Sequence, residues 1–118
     1  MGQLTTHVLD LAAGRPAAAL RVQVHALSPG GPARLLNTAY TDQSGRPPAP
    51  LVDEAVFGKG RYSLTYSIGE YFRRTGVQLP DPPFLDEAVV HIGIARADER
   101  YHVPLLITPW SYSVYRGG

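Results

Sequence analysis

The sequence predicts an all-β domain, a β-sandwich that carries one short helix. The 118-residue chain contains 12 Gly and 11 Pro, which fall between short apolar runs, as is typical of strands joined by turns. Its aromatic residues are mostly Tyr, with 7 Tyr against 3 Phe and 1 Trp, and this favours strands over helical bundles. We therefore expect residues 1–118 to form a single domain with one core.

Three strands are predicted in the first half of the chain, each followed by turn residues. They cover Leu4–Leu11, Leu20–Leu27 and Arg34–Thr41. The second is the clearest, because Val22, Val24 and Ala26 alternate with polar residues, which is the period of a half-buried strand. The turns that follow these strands are expected at residues 13–16, 28–32 and 42–48.

The second half adds four strands and the helix. The strands are predicted at Arg61–Ile68, Glu87–Arg96, Arg100–Ile107 and Ser111–Arg116. Between the first two, residues 69–76 have helical character and end at Gly76, a residue common just past a helix C-terminus. Residues 51–60 fit either a short edge strand or an irregular loop. Seven or eight short strands at this spacing indicate a β-sandwich.

Composition excludes several classes of function. The 11 basic residues nearly balance the 10 acidic ones, so net charge is +1 and no general attraction to nucleic acid is expected. The absence of Cys excludes disulfides and thiolate catalysis. The four His lack the spacing of ligand pairs, so no metal is expected. Neither a signal peptide nor an apolar membrane span is visible, so we expect a cytoplasmic protein without a membrane partner.

Both ends of the chain carry specific motifs. The opening LTTHVLD at residues 4–10 is followed by GRPA at 14–17, and the chain ends in YHVPLLITPWSYSVYRGG. The opening resembles the transthyretin-related proteins, and the ending resembles the 5-hydroxyisourate hydrolases within that family. The SGR at 44–46 and the GEYF at 69–72 also fall in family order. The sequence departs from the family at the last position, where Gly118 stands in place of Ser.

This resemblance implies a fold, an activity and a set of site residues. The fold would be a prealbumin-like sandwich of two four-stranded antiparallel sheets, and four subunits would assemble around a central channel. The enzyme would open the ring of 5-hydroxyisourate, without a cofactor, at a site where subunits meet. The matching functional positions are His7, Arg46, His102 and the run Tyr115–Gly117.

The residues themselves are consistent with these roles. Alternation places His7 on the opposite face of its strand from Thr6 and Val8, and a neutral imidazole can take a proton from water near pH 7. His102 could act as a second imidazole on the same surface, if its strand neighbours the first. Which of the two would be the base stays open. Two prolines stiffen the loop after Arg46, whose guanidinium could stabilise an oxyanion.

The last predicted strand carries candidate substrate contacts. Ser111, Ser113 and Tyr115 alternate with Tyr112, Val114 and Arg116. We expect Ser113 and Tyr115 to contact the substrate, a small heterocycle that needs several fixed polar partners. Arg116 would also bind it, but alternation points this side chain the other way, so its role needs a bend or a neighbouring subunit.

Three functions can be weighed. The first is a cyclic-amide hydrolase in which His7 and His102 activate water and Arg46 stabilises the oxyanion. The alternative is a transthyretin-like carrier of a small ligand without catalytic activity, which would need an open, apolar channel. The third is a structural sandwich without a small ligand, in which the two terminal motifs would coincide by chance.

Overall fold

A computed structural model describes residues 2–118 as eight strands and one helix. The strands and the helix, in chain order, are β1 (Gln3–Asp10), β2 (Arg15–Pro16), β3 (Arg21–Leu27), β4 (Arg34–Tyr40), β5 (Gly60–Tyr66), α1 (Ile68–Arg74), β6 (Ala88–Ile94), β7 (Arg100–Ile107) and β8 (Tyr112–Val114).

The strands form two four-stranded sheets. The first sheet has the order β2-β1-β7-β8 and the second β4-β3-β5-β6, which confirms the predicted sandwich. One pair departs from the expected antiparallel arrangement: β1 and β7 run parallel over their whole length, with Thr5 opposite His102 and His7 opposite Pro104. The chain leaves β1 and crosses the entire second sheet before it returns as β7, so the two strands can enter the first sheet in the same direction.

The core lies between the two sheets and follows from strand alternation. In β1, Leu4, Thr6, Val8 and Asp10 are buried, whereas the residues between them are half-buried. Each fully buried aliphatic side chain contributes about 1.5–3 kcal/mol. Buried polar groups are paired: the Thr6 hydroxyl donates to the Val103 carbonyl at 2.6 Å and accepts from the Tyr66 hydroxyl at 2.8 Å. This pairing ties β1 to β7 and to the second sheet.

The predicted helix is confirmed with shifted ends. It begins at Ile68 instead of Gly69, so the strand predicted to reach Ile68 ends at Tyr66. Gly76 follows the helix with a φ of +92°, the left-handed conformation expected of a glycine in this position.

The structure differs from the prediction at one turn and at the last strand, and it decides between the two alternatives for residues 51–60. Arg15–Pro16, expected in a turn, pairs with Leu9 and Asp10 as the short strand β2. Residues 51–60 are mainly a loop, tied to β1 by an isolated bridge between Val52 and Leu4. The last strand covers only Tyr112–Val114, but its antiparallel pairing with β7 confirms the predicted hairpin.

Candidate active site

The half-buried face of the first sheet brings two imidazoles together. On β1 this face carries Thr5 and His7, and on β7 it carries Arg100, His102 and Pro104, because residues two apart share a face. The register sets Thr5 beside His102 and His7 beside Pro104. His7 and His102 therefore project from neighbouring strands on one surface. Alternation predicted the face of each side chain, and the family resemblance implied that the two strands are neighbours.

His102 is held by a neighbouring hydroxyl. Its Nδ1 and the Thr5 Oγ1 lie 2.8 Å apart in a hydrogen bond. The pKa of His102 is lowered, first by burial and then by the positive charges of His7, Arg46 and Arg100. A His whose pKa is lowered is neutral at pH 7 and can accept a proton.

His7 is oriented by the turn that follows β4. Its Nε2 lies 2.8 Å from the Ser44 carbonyl oxygen. A carbonyl oxygen only accepts hydrogen bonds, so Nε2 carries the proton of this bond. In the neutral ring the lone pair is therefore on Nδ1.

The Asp42–Arg46 turn holds Arg46 beside the sheet. The Asp42 Oδ1 accepts hydrogen bonds from the Ser44 amide at 2.8 Å, the Ser44 hydroxyl at 2.6 Å and the Arg46 amide at 3.4 Å. The bond from the Ser44 hydroxyl is the largest cause that lowers the pKa of Asp42. The Gly45 carbonyl accepts from the Val8 amide at 2.8 Å, which fixes the turn to β1.

Gly45 is required for this docking. Its φ is +82°, and a Cβ at this position would collide with the Val8 carbonyl oxygen and lie 3.3 Å from the His7 Cδ2. Only glycine adopts this conformation at so close an approach without strain. The predicted turn is thus confirmed, and its glycine sets the distance between Arg46 and β1.

A pocket of about 350 Å³ opens between this turn and the first sheet. It is lined by Thr5, Thr6, Arg46, Pro47, Pro48, Ala49, Pro50, Arg100, His102 and Gly118. Arg46 and His102 therefore meet in one pocket, and His7 lies beside it on the same face. The four-residue run after Arg46 forms one wall, and three of its members are proline, which fixes the backbone.

Ser113 and Tyr115, the substrate contacts predicted on the last strand, lie outside this pocket. Ser113 pairs with Leu106 on the same face as His102, but it does not line the pocket. Tyr115 is exposed and borders a separate, more apolar pocket with Val90 and Val103. Within one chain, neither hydroxyl reaches the Arg46–His102 pocket.

Arg116 lies on the other face of the sheet, as alternation predicted. Its Nη2 is 3.3 Å from the Glu99 Oε1 and donates to the Arg100 carbonyl at 3.1 Å. Its guanidinium carbon sits 4.0 Å from the centre of the Tyr101 ring. The substrate-binding role predicted for Arg116 is therefore not supported by contacts within the chain.

Sequence reasoning missed Thr5 and Arg100. Both line the pocket, and the guanidinium of Arg100 makes no hydrogen bond or ion pair to any of residues 2–118. The signal was available for Arg100, because it is two residues before His102 and shares its face. Thr5 could not be identified without the parallel register of β1 and β7.

No group of three or more His, Asp or Glu side chains within residues 2–118 is arranged to hold a metal ion. In the same range, α1 is too short to cross a membrane, and no other helix is present that could.

Relatives with solved structures share this fold. An (S)-allantoin synthase matches with a TM-score of 0.92 and 42% identity over 99% of this chain, which spans 44% of that longer chain. The 5-hydroxyisourate hydrolase of Klebsiella pneumoniae matches with a TM-score of 0.80 and 30% identity, over 98% of this chain and 99% of that one.

Sequence comparison defines the family. The 5-hydroxyisourate hydrolase 2 of Rhizobium meliloti (strain 1021) is 49% identical over 116 residues, which cover 98% of this chain and 96% of that protein. A model of the HIUase/Transthyretin family matches residues 4–117. The resemblance drawn from the two terminal motifs is thereby confirmed, and the chain belongs to the HIUase/Transthyretin family.

Proposed function

We propose that this chain is a hydrolase that opens the six-membered ring of 5-hydroxyisourate by attack of water on a ring carbonyl. The observation that carries the proposal is the meeting of Arg46 and His102 in one pocket, with the His7 ring on the same face. The names of relatives that match over nearly the full chain support the same substrate.

The general base is an imidazole of the His7/His102 pair. The lowered pKa of His102 keeps its ring neutral at pH 7, which a base requires. When Nδ1 donates to the Thr5 hydroxyl, the lone pair of His102 is on Nε2 and can take a proton from water. The water oxygen bonds to the carbonyl carbon, the ring C–N bond breaks, and the imidazolium returns its proton to the leaving nitrogen. The products are a carboxylic acid, which releases its proton to solvent and becomes a carboxylate, and an N–H group.

Arg46 stabilises the oxyanion that forms on the attacked carbonyl. Its backbone is fixed by the Asp42 carboxylate and by the prolines that follow. Its guanidinium makes no hydrogen bond or ion pair to residues 2–118, so its donors are free for a ligand. Removing one such donor group typically costs about 10²–10³ in kcat.

The remaining contacts require neighbouring subunits. We assign Ser113 and Tyr115 to a substrate wall completed in a homotetramer. Support for assembly comes from β6 and β8, which are edge strands with exposed Val89, Tyr112 and Val114. Edge strands with exposed apolar side chains are templates for pairing. Light scattering that finds a fully active monomer would contradict this assignment.

The test follows the absorbance of freshly prepared 5-hydroxyisourate. The wild type should accelerate its loss over spontaneous decay. His7→Ala, His102→Ala and Arg46→Ala should each reduce kcat/KM by about 100-fold or more. His25→Ala and Arg34→Ala remove side chains of the same types from the second sheet, outside the pocket, and should leave the rate unchanged. A wild-type rate equal to spontaneous decay would refute the function.

The transthyretin-like carrier is less well supported. Two guanidiniums and an imidazole line the pocket, and a hydrophobic ligand would have to desolvate them without pairing their charges. Calorimetry with an iodinated thyronine separates the two readings, because micromolar binding together with no ring opening would favour the carrier.

A further inference from the structure

Arg116 contacts the three residues that precede His102, and Gly117 contacts His102 itself. The guanidinium of Arg116 contacts three consecutive residues: the Glu99 carboxylate, the Arg100 carbonyl and the Tyr101 ring. A stacked guanidinium that also forms an ion pair and a backbone hydrogen bond uses both its face and its edge. Arg116 is therefore fixed to the start of β7.

The next residue contacts His102 itself. The Gly117 amide donates to the His102 carbonyl at 2.7 Å. A Cβ on Gly117 would lie 2.8 Å from the His102 Cδ2 and 3.1 Å from the Pro104 Cγ. The backbone of Gly117 is thus packed directly against the imidazole.

The contacts of Arg116 differ from those expected of a substrate-binding arginine. Arg46 and Arg100 line the pocket and make no hydrogen bond or ion pair to residues 2–118, whereas Arg116 is occupied within its own chain. It also lies on the opposite face of the sheet from His102. Arg116 therefore has a structural role within the chain, whereas Arg46 and Arg100 are free to bind an anion.

We propose that Arg116 is a positioning residue: it anchors Gly117 against the His102 ring and so fixes the imidazole for proton transfer. This inference rests on the proposed function only for its catalytic consequence. The anchoring itself is a structural statement that can be tested without substrate.

The first test uses NMR to measure hydrogen exchange of the Gly117 amide and the chemical shifts of the His102 ring. Arg116→Ala should accelerate hydrogen exchange of the Gly117 amide by about tenfold and shift the His102 ring signals. Glu99→Gln, which weakens the ion pair but keeps the side-chain shape, should change both in the same direction by a smaller amount. Exposed ion pairs contribute little to global stability, so the unfolding midpoint should change little.

The matched control is Arg96→Ala. The Arg96 Nε also pairs with the Glu99 carboxylate, at 3.4 Å, but its guanidinium has no contact with the Arg100 carbonyl or the Tyr101 ring. Its loss should leave the Gly117 amide and the His102 ring unchanged. An equal effect of Arg96→Ala and Arg116→Ala would overturn the inference, because any loss of charge near Glu99 would then suffice.

Kinetics separate positioning from substrate binding. A positioning role predicts a fall in kcat of about tenfold at nearly constant KM for Arg116→Ala, with partial rescue by Arg116→Lys. A rise in KM at constant kcat, together with wild-type NMR signals for Gly117 and His102, would overturn the inference and assign Arg116 to the substrate. If the wild type proves inactive, the proposed function fails, whereas the NMR result still decides the anchoring.

Discussion

Gly45→Ala should damage the site more than any other small substitution in the turn. Gly45 adopts a φ of +82°, and a residue with a Cβ pays about 1–2 kcal/mol in this conformation. The new methyl would also collide with the Val8 carbonyl and lie 3.1 Å from the Pro16 Cβ. The turn must therefore move away from β1.

The size of the effect follows from the contacts that this movement breaks. The hydrogen bond from the Val8 amide to the Gly45 carbonyl, now 2.8 Å, contributes about 1 kcal/mol. Together with the conformational cost, Gly45→Ala should lower the free energy of unfolding by about 2–3 kcal/mol. Displacement of Arg46 and of the Ser44 carbonyl that orients His7 should reduce kcat/KM at least about tenfold.

Gly30→Ala is the matched control. Gly30 has a similar φ of +69°, but nothing lies within 4 Å of its would-be Cβ, so only the conformational cost of about 1 kcal/mol applies. Urea unfolding of the two variants at one protein concentration, beside the ring-opening assay, measures the difference. Equal destabilisation and equal activity of the two variants would refute the argument that Gly45 sets the position of Arg46.

Three further predictions concern the pocket. Arg100→Gln should raise the pKa of His102, because one of the charges that lower it is removed; NMR titration of the ring measures the shift, and an unchanged pKa would contradict the assignment. Because folding lowers the pKa of His102, the contribution of this residue to folding stability is complete above about pH 6.5. The contribution is lost as pH falls through the pKa of His102 in the folded protein, and Arg100→Gln should make this loss smaller. Thr5→Val keeps the shape but removes the partner of the His102 Nδ1, and should lower kcat about tenfold with a small change in KM; a KM effect alone would assign Thr5 to binding instead. Gly118→Ser should fold normally, because nothing lies within 4 Å of a Cβ at this position. A rise in kcat/KM of this variant would show that a hydroxyl at position 118 contributes to ring opening, whereas an unchanged kcat/KM would show that the site works without this hydroxyl.

Alternation was sufficient to predict which side chains share a face. His7, His102 and Ser113 lie on the predicted face, and Arg116 lies on the opposite one, because a period of two needs only the strand and not its neighbours. The parallel pairing of β1 with β7 was not predictable this way, since it depends on the path of the chain through the other sheet. The contact between Thr5 and His102 depends on that register, so it could be found only in the structure.

Short segments without periodicity account for the other differences. Arg15–Pro16 is two residues long, too short for any alternation, and becomes a strand only because β1 offers partners. Gly45 and Gly117 could be recognised as glycines, but their close contacts could not be predicted, because the atoms that each one packs against belong to residues far away in sequence. The anchoring of Arg116 on Glu99 and Tyr101 likewise joins residues that no local pattern relates.

The charge distribution of the pocket suits the proposed mechanism, in which a neutral imidazole accepts a proton from water. Among the described residues that line it, Arg46, Arg100 and His102 carry the titratable side chains, and none of the lining side chains is a carboxylate. In the free enzyme these positive charges oppose an imidazolium, which is why they lower the pKa of His102. In the proposed mechanism, the oxyanion that forms when water attacks the carbonyl would neutralise part of this field, and the imidazolium would become more favourable at the same step. The arrangement would then stabilise the transition state more than the bound substrate, which is the condition for raising kcat.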